Sequence, residues 1–65
     1  SMTDQEILTQ LGDLIRNEFR KECISELSME QRIRLCLLMK RNFRAGIKQI
    51  ARITRLDPET VAKVV

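Results

Sequence analysis

Sixty-five residues with a formal net charge of +3 make one small domain, near the lower limit for a chain that folds alone. Two Gly, one Pro, two Phe and no Trp or Tyr argue for a helical bundle and against a sheet. With no His, no Gly-rich phosphate loop and no paired carboxylates, an enzyme is not expected. No apolar run of about eighteen residues is present to cross a membrane, and no secretory leader pattern opens the chain.

The pattern predicts four helices. The first is expected over residues 4–26. Ser1 reads as a cloning remnant ahead of Met2. Thr3 is placed to cap the helix, and Glu6, three residues on, completes a capping box, with Met2 and Ile7 as a hydrophobic staple across it. Ile7, Leu8, Leu11, Leu14, Ile15, Phe19 and Cys23 recur at spacings of three and four, which lines one face with apolar side chains. Asp13, Arg16, Arg20 and Glu22 fall opposite. Gly12 costs about 1 kcal/mol relative to Ala inside a helix and marks a place for a small break.

Residues 25–28 read as a linker, and the second helix is expected over residues 28–45. Ser28 caps it and Gln31 closes a second capping box. Gly46 is the expected left-handed stop. Met29, Ile33, Leu35, Cys36, Leu37, Leu38, Met39 and Phe43 leave this helix apolar on more than one side, as expected of the central helix of a domain. Arg32, Arg34, Lys40, Arg41 and Arg44 take the remaining surface. Cys23 and Cys36 stand thirteen apart with no His in the chain, so they match no zinc pattern and are expected as reduced thiols acting as small hydrophobes.

The third and fourth helices are expected over residues 47–54 and 58–65. Asp57 is the N-cap and Pro58 the first helical residue, with Leu56 and Val61 as the staple. Ala51 is small where another helix must come close. Ile50 and Ile53 point inward, Leu56 fills the turn, and Val61 with Val64 forms a buried edge. Lys48, Arg52, Arg55 and Lys63 remain for the outside. Charge is unevenly spread: residues 1–27 hold three Lys/Arg and six Asp/Glu, whereas residues 28–65 hold nine and three, so the halves carry −3 and +6. A basic half is often only a solvated face. Its coincidence with two short helices joined by a tight turn favours nucleic acid.

Residues 28–65, and above all Ile50-Ala51-Arg52-Ile53-Thr54-Arg55-Leu56-Asp57-Pro58-Glu59-Thr60-Val61, resemble the trihelical helix-turn-helix units of bacterial transposases and recombinases and of sigma factor region 4. The departure is Arg55, where those families usually place Gly. The resemblance implies that the fourth helix is a recognition helix with Pro58, Glu59, Thr60 and Lys63 outward. It further implies Thr60 on a base edge or phosphate and Glu59 on a cytosine amine, with Lys48, Arg52, Arg55 and Lys63 holding phosphates. The blander roles stand beside these: Asp57 is a cap first, and Glu59 suits a helix N-terminus with or without DNA.

The resulting expectation is an all-α small bundle with an N-terminal amphipathic helix in residues 1–27 and a helix-turn-helix unit in residues 28–65. Its expected function is sequence-specific binding of double-stranded DNA, as a transcription regulator or as the DNA-binding module of a transposase or recombinase. The expected setting is a cytoplasm of bacterial, phage or plasmid origin. The alternative is a protein-interaction or oligomerisation module on the same scaffold. Leu8, Leu11, Ile15 and Phe19 are expected to pair two copies into a homodimer. No cofactor, metal, membrane or small-molecule substrate is expected.

Overall fold

The computed structural model describes residues 2–65; Ser1 lies outside them. Four α-helices and one short 3-10 turn form the chain, and no strand occurs among the described residues. Helix α1 spans Asp4–Phe19, α2 Met29–Phe43, α3 Ile47–Thr54 and α4 Pro58–Val64.

The capping signals act where the spacing places them. Thr3 Oγ1 accepts from the Glu6 amide at 3.1 Å, and Glu6 Oε1 accepts from the Thr3 amide at 2.8 Å. Ser28 and Gln31 repeat the reciprocal pair at 3.1 and 2.9 Å. Each box satisfies amides that the first helical turn leaves without partners. Helix α1 runs unbroken through Gly12.

The first helix is shorter than expected. It ends at Phe19 because Arg20 turns left-handed at φ 59°, and a 3-10 turn over Ile24–Glu26 follows. Helix through residue 26 would run about 34 Å, against a longest dimension of 26 Å for the Cα trace. Its last turns would therefore project beyond anything to pack on. Instead the Glu26 carboxylate gathers the amides of Glu22 at 2.7 Å and Cys23 at 3.2 Å, and the chain reverses to bury Leu27. Cys23, expected on the helical stripe, is an exposed loop residue, while Cys36 is buried; both are free thiols.

Gly46 is not the left-handed stop that its position predicts. Arg44, not Gly46, takes the left-handed position after α2, at φ 53°. Gly46 is extended at φ −79°, ψ 164° and serves as the N-cap of α3, without a side chain to bond the exposed amides. Two backbone reversals thus fall on arginines, Arg20 and Arg44, and Arg55 makes a third.

One core serves both segments of the chain. Ile7, Leu11 and Ile15 of α1 meet Leu35, Cys36, Met39 and Phe43 of α2, together with Ile50, Ala51 and Val61. Each fully buried aliphatic side chain contributes about 1.5–3 kcal/mol relative to exposure. The short helices pack on each other and on α2, which is therefore the central helix, as its apolar circumference predicts.

Candidate nucleic-acid interface

The sequence Ile47–Thr54 buries one face and opens the other. Ile50, Ala51 and Thr54 are buried, and Ile53 is half-buried. Ala51 is 5 % exposed within the core cluster, so a larger side chain there would have to displace packed neighbours. Thr54 is the one buried polar residue of the described chain. Its hydroxyl donates to the Ile50 carbonyl at 2.7 Å and accepts from Cys36 Sγ at 3.9 Å. Burial pushes the Cys36 thiol above its ordinary value, outweighing the bond to the Thr54 hydroxyl, which lowers it. A thiol held protonated there is a packing residue.

The turn closes on Arg55. It is left-handed at φ 59°, ψ 40°, and its amide donates to the Ala51 carbonyl. The Leu56 amide donates to the same carbonyl at 3.2 Å, the six-to-one bond of a Schellman turn. Arg therefore occupies the conformation for which Gly is the usual choice. Asp57 sits at the N-cap of α4 in extended conformation and Pro58 begins the helix, as the spacing predicts. The Asp57 carboxylate, however, makes no capping hydrogen bond.

Lys48, Arg52, Arg55, Pro58, Glu59 and Lys63 are all exposed, and Thr60 is half-buried. Val61, one residue on, is fully buried, so α4 presents Pro58, Glu59 and Lys63 outward around that anchor. Arg52 is not a free cation. Its Nε and Nη2 reach Asp4 Oδ2 and Oδ1, each at 3.1 Å, in a fork-on-carboxylate pair. Gln49 Nε2 donates to Asp4 Oδ1 at 2.8 Å and to the Met2 carbonyl at 2.9 Å. The hydrogen bonds from Arg52 and then Gln49 hold the Asp4 carboxyl below its ordinary value, and the same pair raises Arg52. With side chains 60 % and 43 % exposed, the pair adds little stability, but it fixes where the guanidinium lies. Asp4 and Gln49 are the residues that spacing did not disclose. They lie 45 positions apart, and nothing local in either signals the other.

The surface expected to pair two copies is largely consumed within one chain. Leu11 and Ile15 are buried at 4 % and 2 % exposure, Phe19 is half-buried, and only Leu8 is exposed, at 51 %. The acidic first helix covers its own bundle, so Leu11 and Ile15 are core residues. No three His, Cys, Asp or Glu side chains of the described residues gather as a metal would require. No described helix is long and apolar enough to cross a membrane. Comparison with family models, curated proteins and solved structures finds no match.

Proposed function

We propose that the chain binds duplex DNA through α3, the Arg55 turn and α4, as the DNA-binding module of a transcription regulator or of a transposase or recombinase. The observation that carries the reading is the turn itself. A left-handed residue joins two short helices whose Ile50, Ala51 and Val61 are buried, while Lys48, Arg55 and Lys63 stay exposed. A seven-residue α4 rooted by Val61 is short enough to enter a major groove about 12 Å wide end-on. Lys48, Arg55 and Lys63 are the phosphate contacts. Glu59 and Thr60, near the start of α4, are placed to read base edges, and Arg52 joins the phosphate contacts only to the extent that it leaves Asp4.

Fluorescence anisotropy on labelled random-sequence duplexes at several salt concentrations tests this. Affinity is expected to fall steeply with salt, at roughly 0.9 logarithmic units per phosphate contact. Lys48→Ala is expected to weaken all sequences alike, and Thr60→Val to change which sequence is preferred, by about 1–3 kcal/mol at the affected base pair. A folded protein that binds no duplex at low salt refutes the reading. The second reading, a protein-interaction module on the same scaffold, is favoured by one observation: Asp4 already occupies the guanidinium of Arg52.

A further inference from the structure

A groove of about 600 Å³ runs beside α1, on the side of the bundle where α1, the 3-10 turn and α3 meet. Its apolar wall comes from Leu8, Leu11 and Ile15 of α1, Ile24 of the turn and Ile53 of α3. Arg32 of α2 and Arg55 of the turn before α4 supply its cations. The volume lies within the range of about 300–1,000 Å³ typical of small-molecule sites.

Arg32 is the anomaly. Its Nε is shut off from water and has no hydrogen-bond partner among the described residues. The ion pairs of the described chain run from Arg16 and Arg52, and none reaches Arg32. Buried polar groups are nearly always bonded; Arg32 as a whole is only half-buried on the groove wall, so the rest of its guanidinium is left for an anion that enters the groove. Glu22 is the one carboxylate on the groove, and Arg16 Nη1 already stands 3.7 Å from it. We propose that the groove binds a small amphiphilic carboxylate: its head against the Arg32 guanidinium, with Arg55 close by, and its apolar body along Leu8, Leu11, Ile15 and Ile53. A second copy of this chain is a poorer occupant, because symmetric pairing through the groove sets Arg32 and Arg55 against their like and brings no free carboxylate. The site does not rest on DNA binding, although it shares Arg55 with the proposed phosphate contacts.

The probes are octanoate, octan-1-ol and octylammonium, which share a tail and differ in the head. Each is titrated into the isotope-labelled protein and followed by its amide resonances. Octanoate is expected to shift the amides of Ile15, Ile24 and Ile53 saturably, and to bind about tenfold or more tightly than the other two, as a charge-assisted hydrogen bond requires. Arg32→Gln is expected to cut the preference for octanoate severalfold while leaving octan-1-ol unchanged. Leu8→Gln, at an exposed position, is expected to weaken both. Equal affinity for the three heads overturns the proposal. So does a preference for octanoate that Arg32→Gln leaves undiminished in a folded variant, shifts scattered away from the groove, or a groove closed by self-association. If Arg32→Gln unfolds the chain, the head-group preference of the unaltered protein and the Leu8→Gln response still decide.

Discussion

Arg55 joins two properties that a pair of substitutions separates: a left-handed backbone and an exposed cation. At φ 59° a residue with a Cβ crowds the following carbonyl, at a cost of roughly 1–2 kcal/mol. Glycine removes that crowding but loses roughly 0.5–1 kcal/mol more than alanine through its greater freedom in the unfolded chain. Arg55→Gly should therefore be more stable than Arg55→Ala by about 0.5–1 kcal/mol. Both variants lose the charge and its interaction with the end of α3, so the difference isolates the backbone. For a domain of this size, 1 kcal/mol moves the melting temperature by about 4–8 °C, well within reach of thermal denaturation followed by circular dichroism. In DNA binding the two should behave alike, each weakening all sequences and flattening the salt dependence by about one phosphate contact. Arg55→Gly less stable than Arg55→Ala would refute the left-handed turn. An unchanged salt slope in both would refute the phosphate contact while leaving the turn in place.

Gly12 offers a simpler gain. A Cβ added there meets Arg16 Nη1 at 3.3 Å and Nη2 at 3.4 Å, the movable end of a flexible side chain, so Gly12→Ala should stabilise the fold by about 1 kcal/mol in urea denaturation. Leu11→Asp should unfold the monomer, because it places a carboxylate in the core, whereas Leu8→Asp should leave the fold intact; sedimentation equilibrium on Leu8→Asp and the unaltered chain then shows whether α1 pairs copies at all. Acid should weaken the fold through Asp4, Glu6 and Glu26. Arg52 and Gln49 lower the first, the Thr3 amide and hydroxyl the second, and the Glu22 and Cys23 amides the third. A carboxyl lowered in the folded state contributes stability above its unfolded value, and that stability is lost as pH falls through the folded one. Denaturation midpoints should thus be flat near neutrality and decline from about pH 5 downward, and Asp4→Asn should make that decline shallower. A midpoint that rises on acidification would refute the assignment.

Local rules determined much of this protein in advance. Thr3 with Glu6, Ser28 with Gln31, and Asp57 before Pro58 announce three helix starts, because a cap needs only residues within one turn of each other. The burial of Ile50, Ala51 and Val61 follows from helical spacing for the same reason. Helix ends were less legible. Residues 20 and 44 reverse left-handed on arginine, a residue with no local preference for it, because the chain must turn back there to bring its following segments, with Leu27 and Ala45, into the shared core. Only the tertiary structure decided the contacts between distant positions. It turned Leu11 and Ile15 from an outward stripe into core and brought Asp4 onto Arg52, 48 positions away. It also left the Arg32 Nε without a partner beside a groove. An apolar stripe specifies that a face will be covered but not by what, and an ion pair depends on where two side chains end in space. Both are properties of the packed bundle rather than of any local run of residues.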